Sequence, residues 1–339
     1  MRIPLRRPAL LQKLTTTRQQ FVAGRMMSTK QSLILDYHYA TSQVTEYDSE
    51  MSASEFMLSG GDGIYTAMRT VCHGTRLFLF DDHLQRICKS HSVMLSKEPA
   101  NDVKHGQQQL DTEYWRGLLA PLIRRGLSRF SQSCGEQDSK ITVLVDRHRV
   151  AIQFVRLLGP NGVNPSCWVK FVSGRRDHPE AKSLQWVHDR EALEQLIIPP
   201  INEVVLIEHD SKGGPLRFYE GLSSNFFVTR RISTDRQPEY LNFQLISAPL
   251  DSVLLGTVMK LVLLICERDG IGVRYAPEFD ALESWNGAFV SSTSRLVLPV
   301  SNVIYGGDSR QHSLDASDPL ITHLRDSVRS MAREKSTEV

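Results

Sequence analysis

Tyr219-Glu220-Gly221-Leu222-Ser223-Ser224-Asn225-Phe226-Phe227 joins one carboxylate to a small polar turn. Glu203-Val204-Val205-Leu206-Ile207-Glu208 before it and Phe226-Phe227-Val228 at its end read as strands, so the polar residues read as the bend of a hairpin. A glutamate shortly before paired serines and an asparagine can serve a nitrogen heterocycle and a phosphate together. The carboxylate holds a proton on the ring nitrogen, while short hydroxyls and turn N–H groups reach the anion. Read alone, the same residues also make an ordinary polar turn with an incidental glutamate.

Five other segments bear on that choice. Pro179-Glu180-Ala181-Lys182 leads into Leu184 to Leu196, whose apolar residues Leu184, Val187, Ala192, Leu193 and Leu196 have helical spacing. A lysine at the entry of a packed helix can face a cleft, where desolvation and nearby cations lower its pKa, although most lysines are solvated. Gly60-Gly61-Asp62-Gly63-Ile64-Tyr65 reads as a Gly-rich turn into a strand. Leu77 to Ile87 reads as a strand running into a helix capped near Asp81 or Asp82, on which His83 and Arg86 share a face. Leu254-Leu255-Gly256-Thr257-Val258 places a glycine before a long apolar helix, whose first N–H groups form an anion site. Ala288-Phe289-Val290-Ser291-Ser292-Thr293 is a strand ending in hydroxyls.

In order and spacing these segments resemble the class IV (fold type IV) pyridoxal-phosphate enzymes, among them branched-chain and D-amino acid aminotransferases and aminodeoxychorismate lyases. The resemblance spans residues 33–305 and rests on Gly61-Asp62-Gly63-Ile64-Tyr65, His83 through Arg86, Lys182, Glu220 through Asn225, Gly256-Thr257-Val258 and Ser292-Thr293. It implies an α/β (α+β) chain of two-domain fold type IV architecture and a pyridoxal 5'-phosphate cofactor. Lys182 would be the Schiff-base lysine and proton carrier, and Glu220 would hold the ring nitrogen protonated. Arg86, Gly256, Thr257, Val258, Ser292 and Thr293 would form the phosphate cup, with Ser223, Ser224 and Asn225 lining the ring and its phosphate side. Tyr65 and Arg147 are the candidates for substrate contact, Arg147 from the basic turn Arg147-His148-Arg149. A homodimer is implied by the family alone.

The sequence also departs from the family pattern. The threonine of "G-I-T" is Val258 and the following arginine is Met259. The glutamate of "F-E-T" is missing from Tyr65-Thr66-Ala67, and Val187 stands where branched-chain enzymes place a tyrosine five residues after the lysine. These changes leave cofactor binding in place and argue against a branched-chain aminotransferase in particular. The expected activity is transamination between a small amino acid and a 2-oxo acid. The alternatives are a lyase of the aminodeoxychorismate type and a catalytically silent protein that keeps the fold.

With 339 residues, 41% hydrophobic and 23% charged, the chain can bury a core and form two domains, expected at 33–160 and 161–335. The formal net charge of +2 divides into +7 on residues 1–35 and −5 on the rest, so the folded body offers no reason to bind nucleic acid. The leader, residues 1–32, is arginine-rich, carries Thr15-Thr16-Thr17 and lacks acids, as in a mitochondrial transit peptide cleaved near Arg25 to Ser28 and directing the chain to the matrix. A basic tail on a cytoplasmic protein is the alternative. No run approaches 18 apolar residues, so no membrane helix is expected. The five cysteines lack pair spacing and the eleven histidines lack a ligand pattern, so neither a disulfide framework nor a metal site is expected.

Overall fold

The computed structural model describes residues 32–95, 110–157, 165–209, 215–275, 279–306 and 309–338. The basic leader up to residue 31, residues 96–109 and residues 158–164, which hold the expected boundary between the two domains, lie outside the described residues. Two sheets organise the chain. The first contains β1 (Ser32–His38), β2 (Gln43–Ser49), β3 (Gly63–Val71), β4 (Arg76–Phe78), β5 (Ser139–Asp146) and β6 (Arg149–Arg156). The second contains β7 (Cys167–Ser173), β8 (Ile201–His209), β9 (Leu216–Gly221), β10 (Asn225–Arg231), β11 (Phe243–Ser247), β12 (Val273–Arg274), β13 (Gly287–Ser292), β14 (Leu296–Tyr305) and β15 (Arg310–Ser313). The final strand, β16 (Ser336–Glu338), returns to the first sheet and pairs with β4. The C-terminus is therefore stitched onto the N-terminal half.

The first sheet is antiparallel throughout, in the order β16-β4-β3-β5-β6-β1-β2. Of the helices, α1 (Ala53–Leu58), α2 (Phe80–Leu95) and α3 (Thr112–Cys134) precede the second sheet. Strand alternation puts Ile64, Met68, Ile141, Val143, Val150 and Ile152 on one face, where they pack with Leu84 and Ile87 of α2 and Trp115, Leu119 and Ile123 of α3. The opposite face presents Tyr65, Leu144 and Ala151 to Leu184 and Val187, so it looks toward the second half of the chain.

In the second sheet the ladder β10-β13-β14-β7-β8-β9 closes on itself, because Asn225 of β10 also pairs with Glu220 of β9. The lumen is filled by side chains, including Phe171, Phe218, Phe226 and Trp285, whose rings meet mostly edge-on at 5.1–6.3 Å. Alternation sends Phe227 the other way, into a cluster with α6 (Thr257–Arg268) and α7 (Pro319–Glu334). Val71, Phe78 and Leu79 from the first half belong to the same cluster, so the two halves share a core. Asp318 caps α7, accepting from the N–H groups of Leu320 and Ile321 and from Thr229 Oγ1.

One expected element is different. Leu184 to Leu196 is not one helix but two short ones, α4 (Leu184–Asp189) and α5 (Glu191–Glu194). Its apolar residues serve two separate clusters: Leu184 and Val187 face the first sheet, whereas Trp186, Leu193 and Leu196 pack with Val204, Leu206 and Leu222. A straight helix has one core-facing stripe and cannot satisfy both. The break falls at Arg190, which is turned inward and buried.

Candidate active site

The seam where β9 hands over to β10 opens onto a cleft between the two sheets. Its walls bring together Tyr65, Arg86, Lys182, Glu220, Ser223, Ser224, Asn225, Gly256, Thr257, Val258, Ser292 and Thr293. Arg147 is the one sequence candidate that the fold leaves outside. It lies at the exposed tip of the β5–β6 hairpin, where Asp146 Oδ1 accepts from the N–H groups of His148 and Arg149 and fixes a tight turn. That turn points its middle residues at solvent, so the proposed reach of Arg147 into the cleft is corrected.

Lys182 precedes α4 in an extended segment pinned to the first half of the chain. Its carbonyl accepts from the N–H of Tyr65 at 2.9 Å, and its own N–H donates to Ser90 Oγ of α2 at 3.0 Å. The backbone is thus fixed on both sides while the side chain enters the cleft, with Nζ 4.5 Å from the centre of the Tyr65 ring. Burial, with help from Arg86, Arg176 and Arg190, pulls the ammonium down to about 8, against an opposing pull from Tyr65. Burial would raise the Tyr65 phenol, but Arg190, Lys182 and Arg176 outweigh it and bring it to about 7. Arg190 Nη1 lies 3.3 Å from the phenolic oxygen.

Glu220 is 4% exposed, and its two oxygens differ. Oε2 accepts from the N–H of Leu254 at 3.1 Å. Oε1 is buried without a hydrogen-bond partner, 3.6 Å from Arg176 Nη1. Burial pushes this carboxyl up, against the pull of Arg176 and the Leu254 N–H. A second orphaned set belongs to Arg86, whose Nε and Nη2 are buried and unbonded and whose guanidinium is drawn down to about 10 by burial. One turn earlier, His83 is wholly buried, with Nδ1 2.8 Å from Thr66 Oγ1. Burial and the neighbouring Arg86 hold this imidazole well below its ordinary value, so it packs as a neutral ring.

The cup is built by close backbone approach. Gly256 is the N-cap of α6, and a Cβ there would stand 2.2 Å from Asn225 Oδ1. Asn225 Nδ2 in turn donates to the Leu254 carbonyl at 2.7 Å. No side chain caps α6, which leaves its first-turn N–H groups available to an anion. Thr257 Oγ1 and Thr293 Oγ1 meet at 3.3 Å across this end, and Ser292 adds a hydroxyl from the end of β13. The Val258 side chain is buried in the core, so the residue offers the cup its N–H alone.

The hydroxyls of Ser223 and Ser224 are committed elsewhere, donating to Glu203 Oε2 at 2.9 and 2.8 Å. The same oxygen receives Arg295 Nη1 at 2.7 Å, and Oε1 accepts from the Val204 N–H at 3.2 Å. Glu203 shares a side of β8 with the lumen residues Val205 and Ile207, so its carboxylate stands at the cleft end of the barrel. Lys140, Arg176, Arg190 and Arg295 also line the cleft, and sequence reasoning missed all four. Arg190 sits in the charged run Asp189-Arg190-Glu191, which looks solvated, and Lys140 begins a strand beside polar Asp138 and Ser139. Only Arg295, next to the hydroxyl-ended strand, carried a local signal.

Among the described residues no group of His, Cys, Asp or Glu could hold a metal ion, and no helix is long and apolar enough to cross a membrane. The orphaned Glu220 Oε1 and Arg86 nitrogens are what a protonated ring nitrogen and a phosphate would satisfy, so the donor set fits pyridoxal phosphate.

The sequence model of the amino-transferase class IV family matches residues 63–303. Among curated proteins, none matches the chain by sequence. Solved structures do match. A branched-chain aminotransferase from Thermoproteus uzoniensis with norvaline is 17% identical, with a TM-score of 0.62 over 91% of this chain and 99% of that one. A hypothetical aminotransferase from Mycobacterium tuberculosis in a PLP-bound form is 15% identical, with a TM-score of 0.60 over 88% and 99%. A fold IV-transaminase from Curtobacterium pusillum is 16% identical, with a TM-score of 0.61 over 89% and 99%. At these identities the likeness is one of fold.

Proposed function

Because the chain belongs to the class IV aminotransferase family, we propose that it is a pyridoxal-phosphate-dependent aminotransferase exchanging an amino group between a small amino acid and a 2-oxo acid. The observation that carries this reading is the pair of orphaned buried groups, Glu220 Oε1 and the Arg86 guanidinium, both in electrostatic reach of the Lys182 amine. Lys182 would hold the cofactor's aldehyde covalently, Glu220 would keep the ring nitrogen protonated, and Arg86 with the first turn of α6 and the Thr257 and Thr293 hydroxyls would hold the phosphate. Bound there, the cofactor supplies the electron sink that lets a proton leave the substrate's Cα.

The protein's own part is to manage that proton. With its ammonium drawn to about 8, Lys182 presents an appreciable fraction of free amine near neutral pH. Tyr65, drawn to about 7 and touching the lysine, can hold or release a proton at its phenolic oxygen over the same range. The Glu203 strut keeps Ser223, Ser224 and the turn in register with Glu220.

The test is to add pyridoxal phosphate to the purified protein, reduce with borohydride and locate the product by peptide mass spectrometry. A pyridoxyl group on Lys182, absent from Lys182→Ala, supports the reading; no pyridoxyl lysine at saturating cofactor rejects it. Amino-group exchange with a 2-oxo acid then separates a transaminase from a lyase, which would release product without that co-substrate. A homodimer and matrix targeting by residues 1–32 belong to the same proposal. Sedimentation of the purified chain checks the first, and the location of a fluorescent protein fused after residue 35 checks the second.

A further inference from the structure

Glu220 does not face the cleft alone. Arg176, in the segment between β7 and α4, is 5% exposed. Its Nη2 donates to the carbonyl of Ala181. Its guanidinium lies over the indole of Trp186, with Cζ 5.2 Å from the ring centre. Its Nη1 stands 3.6 Å from Glu220 Oε1.

These contacts tie Arg176 to separate parts of the site. Ala181 supplies the carbonyl of the peptide bond whose N–H, that of Lys182, donates to Ser90 Oγ at 3.0 Å, so that peptide is held on both sides. Trp186 in turn donates from Nε1 to the Leu222 carbonyl at 3.1 Å, just past Glu220 in the same turn. Arg176 is therefore fixed between the lysine segment and the glutamate turn before any ligand arrives.

Its separation from Glu220 matters most. At 3.6 Å two buried opposite charges attract, but the distance is too long for a hydrogen bond. Oε1 thus has a counter-charge and no donor. Burial by itself favours the neutral acid at this position. Lys182 also acts on Glu220, but its ammonium, drawn to about 8, is partly discharged near neutral pH, whereas a guanidinium keeps its charge.

We propose that Arg176 is the positioning residue of Glu220, standing near enough to keep the carboxyl ionised and far enough to leave Oε1 free to accept from a ring N–H. The inference takes the identity of the ring nitrogen from the aminotransferase reading, but the charge pair belongs to the protein without ligand.

The experiment is infrared difference spectroscopy of the full chain at about pH 7.5, where exposed acids are ionised, read in the C=O band of protonated carboxyl groups. Glu220→Gln is introduced into the parent, Arg176→Lys and Arg176→Gln, and each spectrum is subtracted from that of its own background. In the parent and in Arg176→Lys the change should remove no band. In Arg176→Gln, which can keep the bond to Ala181 but not the charge, it should remove the intensity of one carboxyl. Pyridoxal phosphate affinity, followed by quenching of tryptophan fluorescence, should fall about tenfold in Arg176→Gln and stay within about threefold in Arg176→Lys. A Glu220 band in the parent, no such band in Arg176→Gln, or equal cofactor affinity of parent and Arg176→Gln overturns the proposal. If Arg176→Gln does not fold, the parent spectrum still decides, because a buried Glu220 without an effective counter-charge shows its band there. Borohydride trapping on Lys182 is read separately, so a failed cofactor assignment leaves the infrared result standing.

Discussion

Glu203 and Glu220 are two buried carboxylates on neighbouring strands of one barrel, and they are bonded in opposite ways. Glu203, 0% exposed, takes two serine hydroxyls, an arginine and a backbone N–H. Glu220 has one oxygen fixed by Leu254 and the other without a hydrogen bond, 3.6 Å from Arg176 Nη1 at the cleft. A saturated buried charge is a strut, whereas a half-satisfied one is held ready for a ligand. The difference separates the group that shapes the turn from the group that uses it.

The largest expected effect comes from breaking the strut. Glu203→Ala strands Arg295 and frees both serines, and should cost about 3–5 kcal/mol of stability in chemical denaturation. If it unfolds at the same denaturant concentration as the parent, the contrast between the glutamates fails. Glu220→Gln should do the reverse. It keeps the contact to the Leu254 N–H and leaves Arg176 its bond to the Ala181 carbonyl, costs about 1–3 kcal/mol of stability and loses about 100-fold in turnover of an amino acid the parent accepts.

Gly221→Ala probes the strut from its neighbour. An added Cβ would lie 2.5 Å from Ser224 Oγ and 3.0 Å from Glu203 Cδ, so a loss of about 1–3 kcal/mol is expected from thermal unfolding. The smallest effect is a titration. Attachment of pyridoxal phosphate should speed up about tenfold per pH unit below about 8 and level off above it, as the Lys182 ammonium gives way to the free amine. Glu220 and Lys182 attract one another, so Glu220→Gln should move that midpoint to lower pH. Glu203→Gln should leave it in place.

The strands and helices that carry the site were legible because their signals are local. Thr257–Arg268 follows a glycine and opens an apolar helical run, and the β5–β6 hairpin alternates around a polar turn. Glu220, Arg86 and Lys182 were readable as a set through the order and spacing the chain shares with the class IV family, and the fold brings all three to one cleft. Arg147 misled for the opposite reason. A basic residue in a turn has the right chemistry, but only the course of the backbone decides whether it meets the cleft. The broken helix after Lys182 was hidden because one apolar spacing served two clusters, and the sequence does not say which residue faces which.

By itself, the sequence determined the order of the elements, the family resemblance and the segments that come to line the cleft, since these depend on residue type and short spacing. Tertiary structure alone decided the closure of the barrel at Glu220 and Asn225 and the saturation of Glu203 by Ser223, Ser224 and Arg295, 20 to 92 residues away. Those properties depend on which distant side chains share a low-dielectric space, and charge balance in such a space is a sum over neighbours that no local pattern contains.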